Sequence, residues 1–156
     1  MSTRSIKWFR LAVLVLASVG LASCDSGAED TSDDETLVIE GARVNVNGSV
    51  SLEVRNGMVE GTLPVPLNGQ TGVITVDFQD ASGAWRPAES LEDEYQVTYQ
   101  FPDFASLSWE PIGASDHEFV LLGIKPGLTS FSATVMDGRD VFYETPPLRV
   151  DVRTAD

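Results

Sequence analysis

Cysteine, histidine and basic residues are all scarce in this sequence of 156 residues, which has one Cys, one His and ten Lys plus Arg. With a single cysteine there is no intrachain disulfide, so a folded domain here must rest on its apolar core. One histidine and one cysteine cannot supply the three or four soft ligands of a structural zinc site, and no cofactor is expected. No G-x-S-x-G elbow accompanies His117, and no G-x-x-x-x-G-K or G-x-G-x-x-G loop is present to cradle phosphate. No segment after residue 36 shows helical spacing over three turns. The few cations face 24 Asp and Glu. A surface of that sign repels phosphate backbones and anionic headgroups, which argues against nucleic acid as a partner.

What is present begins with an export pattern. Arg4, Lys7 and Arg10 precede an almost wholly apolar run from Leu11 to Ala22. As a helix that run is roughly 18 Å long, short of the ~30 Å of a bilayer's hydrocarbon. It closes on Leu21-Ala22-Ser23-Cys24, with small side chains directly before the cysteine. These four positions resemble the lipobox of bacterial lipoproteins. The resemblance implies diacylglycerol on the Cys24 sulfur, cleavage before Cys24, and anchoring in a membrane through two or three acyl chains. The alternative, an ordinary cleaved signal, would strand a free thiol beside the cleavage site in an oxidising compartment. Asp25 after the cysteine resembles the inner-membrane retention signal of enteric bacteria, but that rule does not hold across lineages, so inner or outer membrane, and periplasm or cell surface, both stay open.

From Asp25 to Glu35 six of eleven residues are acidic and none is an apolar residue larger than Ala. Such a segment cannot offset its ordering entropy and is expected to be a self-repelling spacer, with a mean reach on the order of 18 Å. The organisation that follows is a signal peptide over 1–23, a lipidated Cys and acidic linker over 24–36, and one domain over 37–154.

After Thr36 the pattern has period two. Val44 and Val46 alternate with polar neighbours, as do Val50, Leu52 and Val54, then Ile74, Val76 and Phe78, then Tyr95 to Phe101, and later Phe131, Ala133 and Val135 and Leu148, Val150 and Val152. Each reads as a half-buried antiparallel strand. Turn signals stand between them at Asn47-Gly48, Asn56-Gly57, Asp80 to Gly83, Pro102-Asp103, Lys125-Pro126-Gly127 and Asp137-Gly138. A two-residue loop at Asn56-Gly57 sets Val54 against Val59, Leu52 against Gly61 and Val50 against Leu63 on one face. At Asn47 the same loop length would scatter the apolar residues, so a three-residue loop is expected, pairing Val46 with Val50 and Val44 with Leu52. The fold class is all-β: an Ig-like antiparallel β-sandwich of about eight or nine strands, with Trp85 and Trp109 as large pins between two sheets. A barrel is the alternative.

Leu122-Gly123-Ile124-Lys125-Pro126-Gly127-Leu128-Thr129, the strand after it, and Pro146-Pro147-Leu148-Arg149-Val150-Asp151-Val152 resemble the closing part of bacterial Ig-like modules of the group 2 type. Pro102-Asp103-Phe104-Ala105-Ser106-Leu107 echoes an earlier segment of the same modules, so the likeness covers about the last 80 residues. The chain also looks similar to single-domain bacterial lipoproteins whose last hairpin carries histidines. Here that hairpin reads Asp137-Gly138-Arg139-Asp140, so the metal role does not carry over. The Ig-like resemblance implies a display or adhesion module.

The residues that invite a chemical reading are few. His117, in Ser115-Asp116-His117-Glu118, has the residue type of a general base, but it shares a strand face with Phe119 and Leu121 and reads as an edge-of-core residue. Calcium takes carboxylates and carbonyls, and Asp77 with Asp80 and Gly83, Glu92-Asp93-Glu94, and Asp137 with Asp140 are acidic clusters without EF-hand spacing. Glu53 and Glu60 are expected opposite each other in the second hairpin, a repulsive pair unless screened. The expected function is a non-catalytic, lipid-anchored envelope module for protein interaction or structural display. Its partners would be the membrane, through Cys24, and another envelope protein or surface component. The alternative is a calcium or small-ligand binder on the same anchor.

Overall fold

The computed structural model describes residues 37–154. Cys24, the export pattern and the acidic linker therefore lie outside the described residues. The strands run in chain order as β1 (Ile39–Val46), β2 (Ser49–Arg55), β3 (Met58–Gly61), β4 (Leu63–Pro66), β5 (Ile74–Asp80) and β6 (Trp85–Pro87). After one 3-10 turn, Ala88–Leu91, follow β7 (Gln96–Gln100), β8 (Leu107–Pro111), β9 (Phe119–Gly123), β10 (Gly127–Asp137), β11 (Asp140–Glu144) and β12 (Leu148–Arg153). The fold is an all-β sandwich with twelve strands among the described residues, more than the eight or nine expected. The surplus is short. β6 and β8 carry too little alternation to register as strands, and β3 and β4 form where one apolar run is divided between two sheets.

The first sheet has the order β3-β2-β1-β5-β9-β8, with β6 added to β5. In the second, the long β10 is shared: its first half pairs with β12 and its second with β7 and β11. β4 joins β12 in parallel, the exception in an otherwise antiparallel set. Period-two side chains from both sheets meet between them. Phe78, Phe119 and Phe131 are the largest fully buried residues, surrounded by Leu52, Leu63, Ile74, Leu107, Leu121 and Leu148. Phe101 stacks on Phe131 at 5.3 Å and on Trp109 at 5.6 Å, while Phe119 meets Phe131 edge-on at 6.1 Å. Such ring pairs are worth ~1 kcal/mol each beyond the area they bury.

Trp109 is thus one of the expected pins, but Trp85 is not. It pairs opposite Gln79 on β5, next to the inward Phe78, so it lies on the outer face of the first sheet. There the Arg43 guanidinium sits 4.6 Å from its ring centre.

Both hairpin expectations meet the structure at the loops. The Asn56-Gly57 hairpin has Val54 against Val59 and Leu52 against Gly61, but Val50 does not reach Leu63. Gly61 has φ +94°, and a Cβ there would lie 2.8 Å from the Ser51 carbonyl oxygen. The strand leaves the first sheet at that glycine, Leu63 pairs with Val150 of the second sheet, and Val50 is left 53% exposed. At Asn47-Gly48 the loop has two residues, not three, with φ of 49° and 77° as a type I′ turn requires. A bulge then places Asn45 against Val50 and Val44 against Leu52, so Ser51 is the extra residue. The bulge restores the apolar face without lengthening the turn, which is why Val44 and Leu52 still meet.

Candidate functional site

The outer face of β1 and β5 holds a polar cluster that the alternation gave no reason to single out. Asp77 is buried, and its Oδ2 accepts from Arg43 Nε at 2.8 Å and from Asn45 Nδ2 at 3.1 Å. Asn45 shares this face with Arg43 by the plain alternation of β1, and its amide also reaches Thr75 Oγ1 at 3.4 Å. Arg43 lies between Asp77 and Trp85, paired with one and stacked on the other. These contacts tie β1 to β5 across the outer face.

Asp80, three residues on, points to the opposite side of the strand and serves its own turn. Its Oδ1 accepts from the Ser82 hydroxyl at 2.5 Å, the Ser82 amide at 2.9 Å and the Ala84 amide at 3.1 Å. Its Oδ2 accepts from Arg86 Nε at 2.9 Å. The Ser82 hydroxyl first and Arg86 second hold the carboxyl down at about 2. The pair Asp77 and Asp80 expected as an acidic cluster is therefore two carboxylates on opposite faces, each bonded to an arginine of its own.

Two other acidic pairs lie directly across a hairpin. Asp137 and Asp140 face each other across the Gly138-Arg139 turn and are exposed. Glu53 and Glu60 are opposite, as expected, and Arg55 donates to Glu53 at 2.6 Å, so a side chain supplies the screening on that side. Among the described residues no group of three or more His, Asp or Glu side chains is arranged to hold a metal ion.

His117 is 6% exposed and lies just before β9, beneath the connection from the 3-10 turn to β7. Its Nε2 meets the Glu92 carboxylate, its backbone amide donates to Ser115 Oγ at 3.2 Å, and its Nδ1 is buried without a hydrogen-bond partner. The imidazole has a carboxylate beside it but no hydroxyl or thiol bonded to it, so it stands in a clasp. The Tyr99 hydroxyl is likewise buried without a partner. Burial first, then the carboxylates of Asp77 and Asp116, push that phenol well above its ordinary range.

The surface also offers apolar groups. Leu128 is 81% exposed, and Met58 and Phe104 are each 64% exposed. Met58 and Val59 of β3 form one wall of a groove of about 660 Å³, with Ser130, Pro146, Pro147 and Arg149 opposite. A smaller hollow of about 270 Å³ shares Ser130 and Pro147 and continues it to Phe101 and Pro102. Neither was legible in the sequence, because the groove lies where β3 parts from β12 and depends on the sheet crossing at Gly61.

No family model matches the chain, and no curated protein matches it. Two solved structures are similar to it in part: domains 1–6 of the surface layer protein SbsC, at 14% identity and a TM-score of 0.40, and domains 4 and 5 of the S-layer protein SbsC, at 15% identity and a TM-score of 0.40. The matches cover 77% and 76% of this chain, and the chain spans 14% of the first structure and 54% of the second.

Proposed function

We propose that this chain is a bacterial lipoprotein held in the cell envelope by acyl chains on Cys24, and that its sandwich is a non-catalytic module for protein interaction or structural display. The observation that carries the reading is the complete lipobox, Leu21-Ala22-Ser23-Cys24, at the end of a basic and then apolar leader. Two further features support it. The acidic segment before Leu37 has the composition of a spacer that keeps a folded domain off a surface. Within the sandwich, His117, Asp77 and Asp80 are committed to structural contacts, while apolar groups such as Met58, Phe104 and Leu128 are offered to solvent.

Metabolic labelling with an alkyne fatty acid, followed by the intact mass of the mature protein, tests the anchor. Label on the wild type, none on Cys24→Ala, and a mature chain that begins at Cys24 are expected. A mature chain that starts elsewhere and carries no label would overturn the reading.

A further inference from the structure

The terminal strand of the first sheet, β3, borders the larger groove, and its backbone is only half used. In a hairpin closed by a two-residue turn, the flanking pair and every second pair beyond it exchange hydrogen bonds. Here those pairs are Arg55 with Met58 and Glu53 with Glu60. The amide and carbonyl groups of Val59 and Gly61 therefore point away from β2, along the edge of the sheet. Three other strands at sheet edges carry proline: β4 has Pro64 and Pro66, which have no N–H to offer, β6 stops after three residues at Pro87, and β8 ends at Pro111. No proline interrupts β3.

Two side-chain features say what would pair with it. On the inner face Val59 is half-buried beside Pro146 and Pro147, an apolar wall at the depth where every second side chain of an added strand would fall. On the outer face Glu60 has Glu53 directly opposite, and the guanidinium that would neutralise the pair is bonded to Glu53. The remaining carboxylate is best met by a cation on the far side of β3. A chain with a formal charge of −14 adds a long-range field of the same preference.

We infer that β3 and its groove take up an extended segment of a partner protein by strand addition, with aliphatic side chains toward Val59 and Pro147 and a basic side chain beside Glu60. Backbone pairing supplies the affinity and the alternation of aliphatic and basic residues the selectivity. The inference rests on the display reading above for the partner's being a protein. Binding at β3 does not depend on acylation of Cys24, so the two can fail separately.

The test uses the full chain in detergent micelles and the peptide Lys-Val-Lys-Val-Lys, capped at both ends. Hydrogen exchange read by NMR is expected to slow at the Val59 and Gly61 amides on peptide addition. Methylation of alternate peptide nitrogens in either register should leave one register unable to bind. Glu60→Lys, an exposed substitution, should weaken the basic peptide about tenfold and admit Glu-Val-Glu-Val-Glu in its place. Protection elsewhere with none at β3, or equal binding of the basic peptide by Glu60→Lys, would overturn the inference and mark a nonspecific attraction to an acidic surface. Slowed exchange at β3 without peptide, together with a dimer in sedimentation, would overturn it in favour of a second copy of the chain.

Discussion

The imidazole of His117 meets the carboxylate of Glu92, and through that contact the loop before β9 is fastened to the segment that carries the chain from the first sheet to the second. The ring is almost wholly buried while the carboxylate is more than half exposed. The two partners are therefore unequal. Removing the ring opens a cavity and frees a connection between sheets, whereas changing the carboxylate alters one solvated acceptor.

His117→Ala should cost roughly 1–3 kcal/mol, while Glu92→Gln, which keeps an oxygen to accept from Nε2, should cost less than about 1 kcal/mol. Urea unfolding of the two variants beside the wild type measures both. Equal losses, or none for His117→Ala, would mean that the contact holds nothing together.

Asp80 makes a pH-dependent contribution whose sign follows from its depressed carboxyl. The folded state binds the proton only near pH 2, the unfolded chain near the ordinary value of 3.8. The stabilisation is therefore fully present above about pH 4 and is lost as pH falls through 2. Asp80→Asn cannot accept from Arg86 with its amide nitrogen and should be less stable than the wild type at neutral pH. The gap between their urea midpoints should narrow steadily from pH 4 toward pH 2. A gap that stays constant over that range would show that the Ser82 and Arg86 bonds do not favour the ionised form.

Calcium should leave the sandwich unchanged. Asp77 and Asp80 lie on opposite faces, each paired with an arginine, and Glu53 is held by Arg55. A site saturated a hundredfold over its dissociation constant would add ~2.7 kcal/mol. Thermal melts with millimolar calcium and with chelator should therefore share one midpoint. A rise of several degrees would revive the ion-binding alternative and locate it outside these pairs.

Much of the sheet pattern was legible because alternation records burial directly: Val44, Leu52, Val54, Phe78, Phe131 and Val150 are all inward, as their spacing implied. Three features were not. The bulge at Ser51 changes register by one residue within a strand, so the turn at Asn47-Gly48 and the apolar alignment both hold, although a uniform ladder allows only one of them. Trp85 looks like a core residue by size, but its position opposite Gln79 fixes it outside, where Arg43 covers it. The groove arises from where strands part in space, and no local spacing encodes that. Of the residues weighed for chemistry, His117 was correctly placed at the edge of the core, while the Asp77 cluster with Arg43 and Asn45 joins residues more than thirty positions apart.

Gly123 gives the sharpest stability prediction, because two elements crowd it at once. A Cβ there would lie 2.4 Å from the Pro66 carbonyl oxygen and 2.8 Å from Val152 Cγ1. Its carbonyl accepts the Asn68 amide at 2.8 Å and its own amide donates to the Gly69 carbonyl at 3.0 Å. The residue thus seals the corner where the chain beyond β4 meets β9, and the backbone on either side is pinned by hydrogen bonds that hinder retreat. Gly123→Ala should cost on the order of 2–3 kcal/mol through overpacking, a fall in melting temperature of roughly 10 °C for a domain of this size. Gly48→Ala supplies the control: nothing lies within 4 Å of its Cβ, so its cost is the positive φ alone. That strain is about 1 kcal/mol. If Gly123→Ala melts at or above Gly48→Ala, the corner is looser than its contacts imply and the two sheets are not locked together there.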